Sequence, residues 1–483
     1  MLQSRPPIIT VLGHVDHGKT TLLDHIRHTK VQEGEVGGIT QHIGAYQITF
    51  QGKKITFIDT PGHSAFNKMR ERGAKITDLV ILVVSVKDGV KPQTIESIRF
   101  IKEAKAPFIV ALNKIDAEGA NPTLTKTQLA EQNVVVQEYG GDIDAVEISA
   151  LTGKGVDKLL ENVLLMAELL DLKADPDASL EAVVIESTKD QHKGPVVRVI
   201  VQQGTLVLRQ EILVDGINGR VRSLVDENGR QLQEVVPGQP AEVLGLNDVP
   251  EVGTILHDAK ATYKTTELPQ TSEEEFSWDS VDVAALLGDK EKLNLIVKAD
   301  VKGTLEAIVQ SLDTETVELI SASVGALNES DLELAQTTGS VVVVFGQNVP
   351  SKYKHLAKEL GVHVKQYEII YHLLEDLEEQ MLKLMDPYYG EVELGSAEIM
   401  QIFDYNNQRI AGIRVITGEI NRHDKLYLKR ADQIIARPVI TSMKHGKDDI
   451  QTVKTKGEAG LAFKNKKLDF QVGDVLVAYK IEI

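Results

Sequence analysis

The apolar positions of residues 8–172 alternate between short continuous runs and segments with helical spacing. This alternation is typical of a parallel β-sheet covered by helices, because its strands are buried on both faces while each helix buries only one side. We therefore predict an α/β domain over residues 1–172. Its predicted strands are residues 8–12, 55–58, 79–84, 108–112 and 146–148, and its closing helix is residues 156–172.

Residues 178–263 and 388–483 share a different pattern, in which short β-type runs are separated by glycine and proline turns. That spacing predicts two small β-barrels. The two regions also resemble each other locally, since run 194–200 is similar to run 412–416, and run 252–256 to run 472–476. We interpret them as related barrels, with chance similarity between short β patterns as the alternative.

The segment between the two barrels has three parts. Residues 264–282 are acidic and polar, which predicts an exposed connection. Residues 283–368 return to the alternation of strands and helices and predict a second, smaller α/β domain, with strands at 293–298, 317–321 and 341–344. Residues 369–387 have apolar positions at helical spacing and predict a long helix that Pro387 ends.

Composition narrows the setting of the protein. The chain has no cysteine, which excludes disulfides and cysteine-based metal or nucleophile chemistry. No apolar run reaches the length of a membrane span, and the first residues lack the apolar core of a signal peptide. We expect a monomeric, cytoplasmic protein without a membrane partner.

The charge of the chain is uneven. A net charge of −18 disfavours indiscriminate binding to nucleic acid, since phosphate contacts need local positive charge. Residues 388–483 carry 15 Lys and Arg against 13 Asp and Glu, a net of +2, so the residues before them carry −20. If any part contacts RNA, charge favours the C-terminal region.

A phosphate-binding loop follows the first predicted strand. The segment reads Gly13-His14-Val15-Asp16-His17-Gly18-Lys19-Thr20 and fits the pattern G-x-x-x-x-G-K-[ST]. Its glycines permit a tight loop whose amides surround phosphate oxygens, and the following helix directs its N-terminus at the anion. Lys19 adds a positive charge, and the Thr20 hydroxyl is a ligand for Mg²⁺. The alternative, a glycine turn with an unrelated lysine, leaves the flanking strand and helix unexplained.

A second motif ends the predicted strand 55–58. It reads Asp59-Thr60-Pro61-Gly62-His63, in which Asp59 is predicted to hold Mg²⁺ through water and Gly62 to approach the γ-phosphate. Upstream, the segment Gly37-Gly38-Ile39-Thr40 lies between the two phosphate motifs. Thr40 is predicted to complete the Mg²⁺ shell only with γ-phosphate present, which would make this loop a switch. An ordinary surface loop is the alternative.

The base motif follows the predicted strand 108–112. It reads Asn113-Lys114-Ile115-Asp116, and the later segment Ser149-Ala150-Leu151 follows another strand. Guanine presents two adjacent donors that one carboxylate can accept, so Asp116 predicts selection of GTP over ATP. Lys114 is predicted to lay its aliphatic stem against the base, and a backbone amide of 149–151 to meet the guanine oxygen.

The reaction predicted for this site is hydrolysis of GTP to GDP and phosphate. Phosphoryl transfer depends mainly on positioning, and His63 is the candidate to orient the attacking water. A surface histidine without a catalytic role is the alternative. The sequence identifies no arginine that would stabilise the charge on the transferred phosphate. We therefore expect hydrolysis to be slow in the protein alone and to be stimulated by a partner.

The two phosphate motifs together resemble the translational GTPases. A more specific resemblance is to bacterial translation initiation factor two. It rests on the segments 5–13, 34–46 and 66–74, and on 293–308 outside the first domain. The order of elements also fits, and implies a multidomain α/β plus β fold with a P-loop GTPase domain, a β-barrel, a small α/β domain, a long helix and a C-terminal β-barrel.

The resemblance implies placement of initiator tRNA on the small ribosomal subunit, joining of the large subunit, and ribosome-stimulated hydrolysis through His63. It places the formylmethionyl end of the tRNA on residues 388–483. Another ribosome-bound GTPase, or a GTP-dependent scaffold that does not hydrolyse, is the alternative. Segment 293–308 argues against the first alternative and His63 against the second.

Candidate tRNA-binding residues in the last domain are Lys444, Lys447, Glu458 and Gly460, with an ordinary solvated surface as the alternative for the lysines. The chain departs from the family there, because Ile413 and Ala459 align with positions that are commonly cysteine, and Gly446 lies near a position that is commonly aromatic. We therefore predict weak selectivity for the formyl group. Family members often carry a long extension before the GTPase domain, whereas here that domain begins near Met1.

Overall fold

The computed structural model describes residues 1–27, 40–259, 292–313, 316–385, 391–405, 408–430, 433–446, 448–465 and 468–481. Contacts divide the chain into two units, Met1–Met381 and Leu382–Ile483. The predicted acidic connection 264–282, the residues Gly37, Gly38 and Ile39, Pro387 and Lys447 lie outside the described residues. Among the described helices, none has the length and apolarity that crossing a bilayer requires.

The first domain is a six-stranded sheet with helices on both faces. Its strand order is β3-β4-β2-β5-β6-β7, and every neighbouring pair is parallel except β3 with β4. The elements are β1 (Gln3–Ser4), β2 (Ile8–Gly13), α1 (Lys19–Arg27), β3 (Gly44–Phe50), β4 (Lys53–Asp59), α2 (Asn67–Ile76), β5 (Leu79–Ser85), α3 (Pro92–Ala104), β6 (Phe108–Asn113), α4 (Pro122–Glu131), β7 (Asp144–Glu147), α5 (Val156–Leu169) and β8 (Lys173–Ala174).

Local sequence explains several boundaries in this domain. Strand β5 is buried at all of its positions, as a central parallel strand should be. Helices α3 and α4 begin with proline, whose fixed φ suits the first helical turn, and the Asn121 side chain accepts from the Leu124 amide at 3.0 Å to cap α4. The closing helix ends at Leu169, three residues before the predicted end.

Residues 181–258 form a closed six-stranded barrel. Its strands pair in the order β12-β17-β9-β10-β16-β13, and β13 pairs with β12 to close the ring. The elements are β9 (Glu181–Asp190), β10 (Gly194–Gln203), β11 (Leu206–Val207), β12 (Glu211–Val214), β13 (Ile217–Val225), β14 (Gln231–Leu232), β15 (Glu234–Val235), β16 (Pro240–Leu246) and β17 (Ile255–Asp258).

The second α/β domain is a four-stranded parallel sheet in the order β19-β18-β20-β21. The elements are β18 (Leu293–Ala299), α6 (Lys302–Ser311), β19 (Val317–Val324), α7 (Glu329–Thr338), β20 (Val341–Phe345), α8 (Ser351–Leu360), β21 (Val364–Tyr367) and the long helix α9 (Ile370–Met385). One buried apolar cluster joins this domain to the two before it, because it includes Phe66 and Met69 of the first domain, Ile185 of the barrel, and Ile370 of α9.

The C-terminal unit is β-rich. Its elements are β22 (Glu391–Tyr405), β23 (Gln408–Asn421), β24 (Lys425–Arg430), β25 (Gln433–Ala436), β26 (Ile440–His445), β27 (Asp448–Asp449), β28 (Thr452–Lys454), β29 (Glu458–Phe463) and β30 (Val475–Ile481). The strands pair in the order β25-β24-β30-β22-β23-β29-β26-β27, and β28 joins β23. The predicted class, α/β domains combined with β-rich domains, is confirmed.

The two β-rich regions share a strand order. The order β12-β17-β9-β10-β16-β13 corresponds element by element to β24-β30-β22-β23-β29-β26. The turn before the last strand also matches, since Gly253 and Gly473 both have positive φ and donate backbone hydrogen bonds to Val184 and Ile399 respectively. The two regions therefore share a strand order in addition to the local sequence similarity.

Candidate nucleotide-binding and hydrolysis site

The predicted phosphate loop lies between β2 and α1, with α1 beginning at Lys19. The N-terminal amides of α1 therefore face the loop, which is the arrangement that binds phosphate. Gly18 has φ +87, and a Cβ there would lie 2.4 Å from the Asn113 side-chain nitrogen. A glycine is required at this position both for its conformation and for this close approach.

Neighbouring elements hold the loop in place. The Asn113 side chain donates to the His17 carbonyl at 2.8 Å, and the Val15 amide donates to Gln93 Oε1 at 3.0 Å. Lys19 Nζ donates to the His14 carbonyl at 2.7 Å. The loop is thus fixed by β6 and α3 as well as by its own lysine, a preorganisation that lowers the cost of binding an anion.

Lys19 is a buried cation at the base of the loop. Burial lowers the pKa of its ammonium group to about 8, while the Asp59 carboxylate acts in the opposite direction. The lysine therefore remains mostly protonated at neutral pH. It supplies a poorly solvated positive charge, which interacts strongly with phosphate oxygens.

The residues predicted to hold Mg²⁺ provide oxygen ligands from three segments. The Thr20 and Thr40 hydroxyl oxygens lie 2.9 Å apart, and Asp59 is the last residue of β4. Hydroxyl and carboxylate oxygens are the ligands that Mg²⁺ prefers, so this set fits the ion. Thr40 is the described end of the predicted switch loop.

The Asp59–His63 segment lies close against the phosphate loop. A Cβ on Gly62 would lie 2.5 Å from Lys19 Nζ and 3.2 Å from Val15. Thr60 donates its hydroxyl to the Val11 carbonyl at 3.0 Å, which fixes the segment to β2. Pro61 and Gly62 supply carbonyls to the Arg70 guanidinium at 3.4 and 2.9 Å.

Arg70 is a site residue that sequence reasoning missed. Its side chain is 0% exposed, and its guanidinium also donates to the His63 carbonyl, to Asn67 and to Glu96. It therefore braces the segment that carries His63. No signal in the local sequence distinguishes Arg70 from Arg72 of the same helix.

His63 faces the phosphate loop as a neutral imidazole. Burial lowers its pKa to about 4, and the Arg70 charge adds to the effect. The Ala65 amide donates to His63 Nδ1 at 2.9 Å, so the proton of the neutral ring is on Nε2. The ring packs edge-on against Tyr371 of α9 with centroids 4.1 Å apart.

A cavity of about 170 Å³ collects the phosphate-site residues. Its lining includes Lys19, Thr20, Thr40, Gly62 and His63, together with Lys114 of the base motif. A larger cavity of about 520 Å³ lies between the first domain and the barrel, and its lining contains none of the predicted site residues. Of these two cavities, the smaller one is lined by the predicted phosphate-site residues.

The base motif lies at the carboxyl end of β6. Asn113 Oδ1 accepts from the Ala150 amide at 2.9 Å, which joins the base motif to the 149–151 segment. Lys114 has φ +65, and its Nζ lies 3.2 Å from the Asp88 carboxylate. Ser149 and Ala150 are buried, Ile115 is half-buried, and Asp116 and Leu151 are exposed. The Asp116 side chain is therefore accessible from solvent.

The predicted tRNA-binding residues are on adjacent strands of the C-terminal unit. Gly460 on β29 pairs with Lys444 on β26, and Glu458 forms an ion pair with Arg414 at 2.6 Å. Ile413 and Ala459 pair opposite each other in β23 and β29, and both are buried in the core of the unit. Gly446 has φ +61, and open space surrounds the position that a Cβ would take there.

Three protein-family models match the chain. The GTP-binding domain of elongation factor Tu matches residues 4–168, domain 2 of elongation factor G matches residues 179–259, and translation-initiation factor 2 matches residues 269–378. The GTP-binding match spans the phosphate loop, the Asp59–His63 segment and the base motif. Together with this site, the matches define a translational GTPase, a guanine-nucleotide-binding enzyme that acts on the ribosome.

Individual relatives specify the family. The chain is 43% identical to translation initiation factor IF-2 of Halothermothrix orenii over 99% of its own length and 72% of the relative, and 44% identical to that of Geobacillus thermodenitrificans over 99% and 67%. A crystal structure of GDP-bound aIF5B from Aeropyrum pernix matches with TM-score 0.50 and 27% identity, over 99% of this chain and 92% of that one. The chain belongs to the translation initiation factor IF-2 family and is a GTPase of translation initiation.

Proposed function

We propose that the cavity between the phosphate loop and the Asp59–His63 segment is where GTP and Mg²⁺ bind and where the γ-phosphate is hydrolysed. The convergence of Lys19, the two threonine hydroxyls and His63 on one cavity carries this proposal. Lys19 and the loop amides bind phosphate oxygens, while the Gly62 amide meets the γ-phosphate. Asp116 accepts from the guanine edge.

Mg²⁺, when bound, would neutralise negative charge on the phosphate oxygens. Thr20 and Thr40 would hold the ion directly and Asp59 would hold it through water. Because Thr40 belongs to a different segment from Thr20, its hydroxyl would connect the predicted switch loop to the metal site.

His63 orients the attacking water in this proposal. Because the His63 ring is neutral, the positive charges of Lys19 and of a bound Mg²⁺ would not repel it. Its Nδ1 already accepts a hydrogen bond from the Ala65 amide. Nε2 is therefore the ring nitrogen directed to the water. The ribosome stimulates the reaction by fixing this arrangement, since positioning dominates phosphoryl transfer.

GTP turnover by wild type and His63→Ala, with and without 70S ribosomes, tests this assignment. We expect ribosomes to accelerate the wild type strongly and the variant little, with GDP affinity preserved in both. His372→Ala is the matched control because His372 is an exposed histidine outside the cavity lining. Equal ribosome stimulation of wild type and His63→Ala would refute the role of His63.

We further propose that the protein acts in the cytoplasm as a monomer that places initiator tRNA on the small subunit and promotes joining of the large subunit. Membership of the family supports this role, and the C-terminal unit, residues 388–483, is the proposed tRNA-binding part. Lys444 and Lys447 would contact tRNA phosphates, while Gly460 pairs with Lys444 and Glu458 lies two residues before Gly460 on the same strand.

Co-sedimentation with small subunits and initiator tRNA, in GTP and in GDP, tests the cellular role. We expect GTP-dependent retention of initiator tRNA, reduced by Lys444→Glu and unchanged by the control Lys158→Glu in the first domain. Equal retention of an elongator tRNA would favour another ribosome-bound GTPase instead.

A further inference from the structure

The first turn of α9 is held by Gln41, a glutamine just after the predicted switch loop. Gln41 Oε1 accepts from the Ile370 amide at 3.1 Å, and Gln41 Nε2 donates to the Glu368 carbonyl at 2.8 Å. The side chain is 7% exposed, so these are buried bonds that water replaces poorly. Gln41 directly follows Thr40, the predicted Mg²⁺ ligand, and lies 329 residues before the helix position that it caps.

The same turn contacts the predicted catalytic segment through Tyr371. Its ring meets the His63 ring edge to face, with centroids 4.1 Å apart and planes 88° apart. Both residues line the nucleotide cavity. Two consecutive residues of α9 therefore touch two separate segments of the nucleotide site: Ile370 through Gln41, and Tyr371 through His63.

Tyr371 is not needed to anchor its helix. The buried face of α9 consists of Ile370, Leu373 and Leu377, which belong to the shared apolar cluster, whereas Tyr371 is 36% exposed. Its position is explained better by what it touches. Phe66 is a second aromatic neighbour of the His63 ring, with centroids 6.1 Å apart.

We propose that Tyr371 is a positioning residue for GTP hydrolysis, which holds the His63 ring toward the γ-phosphate, and that Gln41 fixes the helix turn that carries Tyr371. This proposal rests on the proposed role of His63. Edge-to-face packing restrains the tilt of the imidazole, and the Ala65 amide restrains its flip by binding Nδ1. Because Gln41 directly follows Thr40, the proposed Mg²⁺ ligand and the residue that fixes this helix turn belong to one segment.

Single-turnover and steady-state hydrolysis on 70S ribosomes, with the full chain, test the proposal. Tyr371→Ala should lower kcat about 10- to 100-fold because small losses of alignment are costly, while KM and GDP affinity remain near wild type. Tyr371→Phe keeps the ring and should restore wild-type kcat. His372→Ala removes a neighbouring exposed side chain of the same helix and should have no effect.

A double-mutant cycle separates positioning from general destabilisation. In a His63→Ala background, Tyr371→Ala should cause no further loss, because the tyrosine acts through the histidine. Additive losses would show a structural effect and overturn the proposal, as would wild-type or increased kcat in Tyr371→Ala. If His63→Ala hydrolyses GTP at the wild-type rate, the proposed role of His63 is itself refuted, and this outcome is distinct from a failure of the Tyr371 proposal alone.

Gln41 is tested by Gln41→Ala, with Gln51→Ala as the control on an exposed glutamine of the same domain. We expect a decrease in kcat in the same direction as Tyr371→Ala, with KM for GTP little changed. Unchanged kcat in a folded Gln41→Ala protein, judged by its thermal transition and GDP binding, would overturn the part assigned to Gln41.

Discussion

The Asn113 side chain donates to the His17 carbonyl at 2.8 Å and so connects the base motif to the phosphate loop. The same side chain accepts from the Ala150 amide. One buried amide thus organises three motifs that are far apart in sequence. A bond of this kind makes guanine recognition and phosphate binding depend on each other.

Replacing Asn113 should therefore damage both functions. Asn113→Ala leaves the His17 carbonyl and the Ala150 amide without these partners, which costs about 1–3 kcal/mol for each buried group. We expect a lower thermal transition and weaker binding of both GDP and GTP, measured by calorimetry. Asn228→Ala on an exposed barrel turn is the control, and comparable losses in both variants would contradict the assignment.

The carboxylate of Asp116 should set the base preference. Asp116→Asn exchanges an acceptor for a donor and should weaken GTP binding while improving binding of xanthosine triphosphate. Competition between the two nucleotides measures the exchange. Glu118→Gln removes a neighbouring exposed acid as control, and an unchanged preference in Asp116→Asn would argue against a role in base recognition.

The close approach of Gly62 predicts a nucleotide-specific defect. Gly62→Ala introduces a Cβ 2.5 Å from Lys19 Nζ, so either the lysine or the segment must move. We expect weaker binding of a non-hydrolysable GTP analogue than wild type shows, with GDP binding less affected. Gly44→Ala serves as the control because its Cβ would meet only ordinary contacts, the nearest at 3.9 Å. An equal loss of affinity for GDP and for the GTP analogue would show that Gly62 does not act through the γ-phosphate.

Glu186 should make stability depend on pH. This carboxyl is 2% exposed and its Oε2 has no hydrogen-bond partner among the described residues, and burial raises its pKa to about 7. Its Oε1 accepts from the Ser187 and Gly303 amides, which act in the opposite direction together with the charges of His42 and Arg198.

The sign follows from proton binding. Between pH 4.5 and 7 the folded protein keeps a proton that the unfolded chain releases, so the contribution of Glu186 to stability falls as pH rises through this window. As pH rises from 4.5 to 8, the free energy of unfolding of Glu186→Gln should increase relative to that of the wild type by on the order of 3 kcal/mol. Thermal denaturation of both proteins between pH 4.5 and 8 measures this difference in stability, with Glu227→Gln on the barrel surface as control. A difference that does not vary with pH would contradict the prediction.

Selectivity for the formyl group is expected to be weak. Ile413 and Ala459 lie opposite each other and are buried, so neither presents a thiol or a polar edge to a bound aminoacyl end. Protection of formylmethionyl- and methionyl-tRNA esters from hydrolysis measures the preference. Strong protection of the formylated form alone would show that other residues provide recognition.

Much of this architecture follows from local pattern. The buried strands of both α/β domains are continuous apolar runs, and the phosphate loop is fixed by its spacing and by the strand before it. The predicted strand 146–148 begins two residues after the start of β7, because Asp144 and Ala145 carry little apolar signal although they pair with β6. Strand β3 escapes prediction because it is an edge strand of mixed polarity.

Contacts across long stretches of chain were beyond sequence reasoning. Gln41 and Ile370 are 329 residues apart, and nothing in either segment specifies the partner of the other. Arg70 presents the same difficulty, because its burial depends on a fold in which α2 packs against α3 and α6. The nature of the site could be predicted from motifs, whereas the residues that brace it could not.

The two β-rich regions use one strand order with different side chains, and even the Gly253 and Gly473 turns correspond. The same strand order thus encloses two different sets of core side chains in one chain. Each region has a buried apolar cluster of its own, and the first region also contributes Ile185 and Ile200 to the cluster that it shares with the two α/β domains. Hairpins exchanged between equivalent positions of the two copies should therefore be compatible in backbone and incompatible mainly in their core side chains.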